Sequence, residues 1–344
     1  MKVVFYGSCW PTNIGNAFVN LGALAALRSA LGERAELVHV GGMSSYLSQR
    51  QGRPENDFHV SDWIDADYIV MAGMTQSVEH LESAGQNLRR FLARGARIVI
   101  AGGGAERYDA AEVEAVRAIL RDLPVHAFAS RDRYSFEHYG DLATHAFDGI
   151  DSAFFIGEAV RPVRFVDRPY LALCFDSMPE PDVLHAAVPV ETGGRRSDPR
   201  GWPSLRTRLR RLLRRNPAAA YPPAPIDAAG LHVVRARHAT LPEPRDAFER
   251  PATLVSDLPS DYLALYANAV VTYTDRIHAC IAALALGGRA QLFGAAVPRL
   301  RMFERVGADE VLERPVALDP ERMKSEREAQ VGFLREVLLG SREA

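Results

Sequence analysis

Two cationic side chains, Arg276 and His278, interrupt an otherwise apolar stretch of this 344-residue chain. They lie between the β-branched and aromatic run at 270–273 and the apolar run at 279–286. The pattern predicts a strand, a turn at 275–278 and a buried helix. Cations at a helix N-terminus oppose the helix dipole, so the pair destabilises the turn unless an anion binds there. We interpret the turn as a site for an anionic substrate; the alternative is a structural, hydrogen-bonding histidine.

The segment YGSCWPTNIGNAF at 6–18 lies between a predicted strand and a predicted helix. Free backbone N–H groups and the helix dipole favour an anion or a polar ligand at such a place. Gly15 lets the backbone come close to a ligand, whereas Asn13 and Asn16 could contact it or simply cap the helix. The segment has neither the G-x-G-x-x-G pattern of a dinucleotide site nor the Gly-Lys-Ser/Thr of a P-loop.

Two further predicted strands end in small or polar residues. MAGMTQS at 71–77 offers Thr75 as a polar contact, and AGGGAERYD at 101–109 holds Gly103 within a glycine run that predicts a sharp turn. Open α/β sheets bind ligands at the carboxyl ends of their strands. We therefore expect Thr75 and Gly103 near an acceptor substrate, with a purely conformational role for the glycines as the alternative.

Arg131 ends a fifth predicted strand, in ASRDRYSFEHYG at 129–140. An arginine at this edge of a sheet points toward the ligand cleft and can bind a carboxylate or phosphate with two hydrogen bonds. A salt bridge to Asp132 or Glu137 that holds the loop is the alternative.

The candidate residues are positioned by an alternation of short β-branched runs and helical patterns, which is typical of parallel sheets covered by helices. The chain is long enough for two domains. We predict an α/β fold with two Rossmann-like domains facing a cleft, at 1–160 and 161–344. The predicted strands are at 2–7, 35–41, 67–73, 97–104, 125–131, 170–176, 231–236, 252–257, 269–274 and 290–294.

An arginine-rich insertion at about 191–225 interrupts this alternation. Within it, leucines and arginines at 204–215 fall on opposite faces of a predicted amphipathic helix. Its leucines could pack on the domain, or its arginines could attract an anionic membrane surface or a lipid diphosphate. Because the formal net charge is −2, nucleic acid is not an expected partner.

Composition is typical of a globular cytoplasmic protein, with 47% hydrophobic and 24% charged residues. The three cysteines lie far apart without C-x-x-C spacing, which suits a reducing compartment. The sequence shows no signal-peptide pattern and no apolar stretch of membrane-spanning length. We expect a cytoplasmic protein that could associate with the inner face of the membrane through 204–215.

Four segments resemble, in the same order, the polysaccharide pyruvyl transferase family: NIGNAF, GGG, SRDRYSFEHYG with DSAFFI, and TDRIHACIAALALGGRAQLF. Members of this family show N-x-G-D early, R-D/E-x-x-S before D-x-A-F, and R-L-H-A at a helix opening near the end. The similarity spans roughly 3–310 without 180–230. Its most specific part is the Arg-Ile-His-Ala element.

This resemblance implies a fold like that of GT-B glycosyltransferases and the transfer of a pyruvyl group from phosphoenolpyruvate to a sugar as a ketal. It implies no metal or organic cofactor, and an acceptor that is a cell-surface glycan or its lipid-linked precursor. Arg131, Arg276 and His278 would hold the donor, with Arg276 and His278 as the catalytic pair and His278 as the proton donor. Arg299, or less well Arg301, matches a family lysine after the last strand.

Two positions depart from the family pattern. Asn16 stands where the family has an aspartate, and an amide cannot accept a proton as a carboxylate can. The base is then another carboxylate (Asp148, Asp151 or Asp275 among them), or the acceptor differs, or activity has been lost. The ending MAGMTQS replaces a common glycine run, so the acceptor side is expected to be reshaped. A GT-B glycosyltransferase using a nucleotide sugar and a non-catalytic anion-binding relative stay open as alternatives.

Overall fold

We analysed a computed structural model of the chain. The residues that it describes are 1–8, 13–41, 62–164, 168–178, 180–181, 183, 231–238, 253–295 and 297–340. The basic insertion at 191–225 and its amphipathic helix at 204–215 lie outside these residues.

The first sheet has six parallel strands in the order β2-β1-β3-β4-β5-β6. β1, β3, β4 and β5 are almost entirely buried, which explains why they appear in the sequence as continuous apolar runs. The strands are β1 Lys2–Gly7, β2 Glu36–Gly41, β3 Tyr68–Gln76, β4 Arg97–Ala105, β5 Val125–Ser130 and β6 Ala143–Phe147.

The second sheet has five parallel strands in the order β11-β10-β7-β8-β9. It is smaller, and the strand predicted at 252–257 is reduced to two residues. The strands are β7 Tyr170–Cys174, β8 His232–Ala236, β9 Thr253–Leu254, β10 Val271–Thr274 and β11 Ala290–Leu292.

Helices cover both sheets. Several begin at a residue whose side chain accepts a backbone N–H, as Ser77 and Asp132 do, and such caps stabilise a helix start. None of the described helices has both the length and the apolar composition needed to cross a membrane. The α-helices are α1 Gly15–Leu31, α2 Val78–Ala93, α3 Ala110–Arg121, α4 Arg133–Tyr139, α5 Ile156–Ala159, α6 Pro259–Asn268, α7 Ile277–Ala285, α8 Met302–Arg305 and α9 Pro320–Leu339.

Helix α9 follows the second sheet in the chain but packs against the first half. It contacts α1 and β6. Arg335 donates to the carbonyls of Ala30 and Ser29, and the Gln330 side chain accepts the N–H of Ile150 at 2.7 Å. The two halves also share one continuous apolar core. The domain division at residue 160 stays a prediction, and α9 is the part of the second half that crosses back.

The glycine run after the fourth predicted strand does not form the sharp turn that the sequence predicts. β4 continues through the run to Ala105, and its pairing with β3 and β5 shifts register at these glycines. Gly102 has φ 68°, a left-handed conformation that glycine adopts without strain. The register shift lets the strand continue where the pattern of side chains predicts a loop.

Buried histidines make the fold sensitive to acid. Burial lowers the pKa of His80, His238 and His278 below the ordinary value of 6.5. The unfolded chain therefore binds more protons, so the stability is complete above that value and falls as the pH drops through it. Burial raises the pKa of Asp176, which has the opposite effect on stability. The three histidines outnumber this single carboxylate.

We expect the urea midpoint of unfolding to decrease steadily from about pH 7 to about pH 5. Urea titrations monitored by far-UV circular dichroism across that interval measure the change. A midpoint that is flat or rises toward pH 5 would contradict the neutral state of these histidines.

Candidate active site

A cleft of about 1430 Å³ opens where the carboxyl ends of the two sheets face each other, and we call it the outer cleft. Residues that follow strands of both sheets line it, among them Asn13, Met74, Glu106, His238 and Arg276. This is the edge at which open α/β sheets bind ligands. The cleft lies at the edge of each sheet where the sequence analysis placed the candidate residues.

A smaller cavity of about 310 Å³, the inner cavity, adjoins the outer cleft. Asn13, Met74, His278 and Arg299 line both spaces, so a ligand can reach from one into the other. The remaining lining residues come from the first half of the chain, namely Tyr6, Gly7, Ser8, Asn16, Val19, Gly73, His80, Ala84 and Arg131.

Arg131 is fixed at the wall of the inner cavity, with 1% of its surface exposed. Its Nη2 donates to Tyr108 Oη at 3.1 Å and to the carbonyl of Ala105, and its Nε lies 3.5 Å from Asp132 Oδ2. Burial acts to lower the pKa of Arg131, but Tyr108, Asp151 and Asp132 outweigh it and hold the pKa above its ordinary value. Arg131 is thus a permanent cation, and the ion pair with Asp132 that we considered is present.

The glycine run makes room for this arginine. A Cβ at Gly104 would lie 2.2 Å from the Nε of Arg131. Gly103 instead faces Thr75, whose buried hydroxyl donates to its neighbour Gln76 at 2.9 Å. Thr75 and Gly103 line neither the outer cleft nor the inner cavity. The structure therefore packs these two predicted acceptor contacts beneath the site.

Arg276 connects the two halves across the outer cleft. It precedes α7, and its Nη2 donates to Asn13 Oδ1 at 3.0 Å. The same oxygen accepts the N–H of Gly15 at 3.1 Å, and Arg276 Nε lies 3.8 Å from Asp176 Oδ2. The residues predicted on the early loop and on the late turn thus lie together.

His278 lies in the first turn of α7, beside Asp151. Its Nε2 is 3.7 Å from Asp151 Oδ2, too far for a hydrogen bond, and both atoms are buried without a partner within the described part of the chain. Gly15 permits this arrangement, since a Cβ there would lie 2.9 Å from His278 Nδ1. Burial lowers the pKa of His278, Asp151 opposes this effect, and Arg299 and Arg131 add to it. The imidazole is therefore neutral at neutral pH in the empty cavity.

Arg299 brings a further cation to the inner cavity. Its Nε is buried, and among the described residues it has neither a hydrogen-bond partner nor a carboxylate within 4.0 Å. Burial, and then the charge of Arg131, lower the pKa of Arg299 to about 10. Arg301 is exposed, lies 3.8 Å from Glu304 and lines neither space. Of the two candidates for the family's lysine position, the structure brings Arg299 to the site.

The three carboxylates considered as bases differ in what they contact. Asp148 pairs with Arg133 at 3.3 Å and Arg305 at 3.0 Å. Asp275 accepts backbone N–H groups of the loop after β7. Oδ2 of Asp151 has no hydrogen-bond partner among the described residues. Burial raises the pKa of Asp151, but His278 and Arg131 lower it by more, so the net shift is downward and the carboxylate is ionised. Asp151 is thus placed to balance His278 and Arg131.

Cys174, Asp176 and His238 are the group in the described residues whose ligand atoms come within 4.8 Å of one another, close enough for a metal. Asp176 already lies 3.2 Å from Arg237 and 3.8 Å from Arg276. Two guanidinium groups neutralise this carboxylate and would repel a cation. These residues therefore do not fit a metal site, and a reaction without a metal stays a prediction.

The sequence analysis did not identify His80 and Tyr108, both of which contribute to the site. Tyr108 has φ 61°, rare for a residue with a side chain, and such strain is common at functional sites. His80 lies in the first turn of α2, directly after β3. Its position after a strand could have marked it, since the same reasoning identified Arg131.

Solved structures with a similar fold include a complex with UDP and a putative epimerase of a UDP-sugar. The structure of S. aureus MnaA with UDP aligns with a TM-score of 0.50 and 13% identity over 98% of this chain and 91% of that chain. A putative UDP-N-acetylglucosamine 2-epimerase from Listeria monocytogenes aligns with a TM-score of 0.50 and 12% identity over 98% and 90%. These neighbours have the GT-B fold, which confirms the predicted pair of Rossmann-like domains.

No curated protein sequence matches the chain. A family model described as polysaccharide pyruvyl transferase matches residues 13–290, which is most of the chain. The matched range contains Asn13, Arg131, Arg276 and His278, whereas Arg299 follows it. The chain belongs to the polysaccharide pyruvyl transferase family.

Proposed function

We propose that the protein transfers the pyruvyl group of phosphoenolpyruvate to a sugar of a cell-surface polysaccharide or of its lipid-linked precursor, forming a ketal. Family membership supports pyruvyl transfer to a polysaccharide. The observation that supports this donor is the buried Nε of Arg299, which has no hydrogen-bond partner among the described residues and lies beside Arg131 and His278. A donor with about three negative charges offers such a cluster hydrogen bonds and charge balance.

The donor's phosphate and carboxylate would bind where the inner cavity meets the outer cleft. Arg131 lines the inner cavity and Arg276 the outer cleft, while Arg299 and His278 line both. An arginine can hold either anionic group with two parallel hydrogen bonds. The methylene carbon would then lie near His278, and the acceptor in the outer cleft would extend its hydroxyl to C2 at the junction with the inner cavity.

The reaction begins when His278 transfers a proton to the methylene carbon, which leaves C2 electron-poor. A sugar hydroxyl then attacks C2 and loses its proton to a base. The bond between C2 and the phosphate oxygen breaks, and attack by a second hydroxyl closes the ketal. The balanced outcome is one ketal, whose methyl group carries the added proton, and one inorganic phosphate.

His278 must gain its proton before this step. In the empty cavity burial keeps the imidazole neutral, but a bound trianion favours the charged form. Asp151 Oδ2 would then stabilise the imidazolium across the 3.7 Å that separates it from Nε2. Binding of phosphoenolpyruvate therefore favours the protonated form of His278 that the reaction needs.

A contact of the segment at 204–215 with the inner face of the membrane is part of this proposal, since a lipid-linked acceptor would be presented there. Its arginines would each gain about 1 kcal/mol near an anionic surface.

The proposal is tested by incubating the protein with phosphoenolpyruvate and candidate sugars and measuring released phosphate. We expect phosphate release and a rise in melting temperature with phosphoenolpyruvate alone. Stabilisation by UDP but not by phosphoenolpyruvate would instead favour a glycosyltransferase that uses a nucleotide sugar. A shift by phosphoenolpyruvate without turnover on any acceptor would favour the non-catalytic anion-binding relative.

A further inference from the structure

His80 lies on the inner cavity but has no role in the donor site described above. It shares the cavity with Asn16, Arg131 and His278. Its Nε2 is buried and has no hydrogen-bond partner in the described part of the chain. A buried, unpaired polar atom destabilises the fold, so one that lies at a cavity with reactive groups indicates a function there.

The backbone of His80 is held in place by the start of its helix. Ser77 caps α2 and its Oγ accepts the backbone N–H of His80 at 3.3 Å. Burial lowers the pKa of His80, and the positive end of the α2 dipole acts in the same direction. The imidazole is thus neutral at neutral pH and can accept a proton.

The titratable groups near His80 lie on the outer cleft or on the inner cavity. Two acidic residues of α2, Glu79 and Glu82, line the outer cleft rather than the inner cavity. The titratable groups that share the inner cavity with His80 are Tyr6, Arg131, His278 and Arg299. Burial keeps the imidazole of His80 neutral, and an anion bound in this cavity would raise its pKa and strengthen it as a base.

The reaction lacks a base at the expected place. Asn16, which cannot accept a proton, lies on the same cavity as His80. Asp148 and Asp275 are engaged elsewhere, and Asp151 faces His278 and Arg131. Among the described groups lining the inner cavity, His80 is the neutral proton acceptor that neither donor binding nor donor protonation uses.

We propose that His80 is the general base that takes the proton from the acceptor hydroxyl as its oxygen bonds to C2 of phosphoenolpyruvate. This inference rests on the proposed function. The proton of the first hydroxyl passes from His80 to the leaving phosphate as the bond from C2 to the phosphate oxygen breaks. The second hydroxyl also loses its proton to His80. Return of this second proton to His278 restores the one that His278 gave to the methylene carbon.

His80→Gln keeps the size of the side chain and removes the base. We expect turnover to fall by about 10²- to 10⁴-fold. The melting shift caused by phosphoenolpyruvate should persist, because Arg131, Arg276 and Arg299 are unchanged. His145→Gln, on the exposed strand β6, is the matched control and should behave as wild type.

The double variant His80→Gln with Asn16→Asp supplies a carboxylate to the same cavity. We expect the turnover of the double variant to be at least about tenfold higher than that of His80→Gln. The acidic limb of its pH profile should move toward the pKa range of a carboxylate. A residue with a merely structural role would produce neither result.

The inference is overturned if His80→Gln keeps turnover within about threefold of wild type, less than any general-base contribution. It is also overturned if that variant loses the melting shift with phosphoenolpyruvate, which would show a structural role. If wild type itself releases no phosphate with any acceptor, the proposed function fails and this inference fails with it. An active wild type with an equally active His80→Gln sinks this inference alone.

Discussion

Replacing Arg299 with methionine is expected to stabilise the empty protein and to remove most of its affinity for phosphoenolpyruvate. The Nε of this guanidinium is buried without a partner among the described residues, and burial and Arg131 lower the pKa of Arg299 to about 10. The fall from 12.5 corresponds to roughly 3 kcal/mol by which the empty site disfavours this charge. Methionine fills a similar space without charge.

We expect the melting temperature without ligand to rise by roughly 2–4 °C. The dissociation constant for phosphoenolpyruvate should increase by about 100-fold, as for the loss of one partner in a buried charge pair. Differential scanning fluorimetry and isothermal titration calorimetry measure the two effects. Stability and binding then change in opposite directions, which an arginine that only supports the fold could not produce.

Arg301→Met is the matched control, because this arginine lies on the same short helical turn but is exposed and lies near Glu304. It should change neither quantity appreciably. If Arg299→Met lowers the melting temperature while binding is unchanged, the assignment of Arg299 to the donor site is wrong.

His278→Gln is expected to lower turnover by about 10²- to 10⁴-fold, the usual contribution of a general acid. Donor binding should weaken far less, since three arginines remain. The variant should also lose proton uptake. In wild type the pKa of His278 lies below its ordinary value in the empty cavity and rises when the anion binds, so binding takes up a proton.

Titrating phosphoenolpyruvate at neutral pH in two buffers of different ionisation enthalpy measures that proton uptake. Wild type should show a buffer-dependent heat and His278→Gln a much smaller one, while His145→Gln should match wild type. Equal proton uptake in wild type and His278→Gln would mean that another group receives the proton and that His278 is not the acid.

The sequence predicted the cationic turn and the positions of Arg131, Arg276 and His278 because these depend on local order. A strand followed by a helix has a recognisable pattern, and parallel strands bring their carboxyl ends to one edge. The family resemblance ranked Arg299 ahead of Arg301. In the structure Arg299 lines both spaces, whereas Arg301 is exposed on the same short helical turn.

Other features had no local signal. β3 extends past its predicted end and takes Thr75 into a packed strand, and β4 continues through Gly103 with register shifts instead of turning there. His80 required knowing that the first turn of α2 lines the inner cavity. The packing of α9 on the first half joins residues more than 100 positions apart, and no periodicity records such contacts.

The return of α9 joins the two halves at a second place. The chain passes from the first half to the second between β6 and β7 and passes back between β11 and α9. Two crossings of the chain and one shared apolar core therefore set the spacing between Arg131 at the edge of the first sheet and Arg276 at the edge of the second.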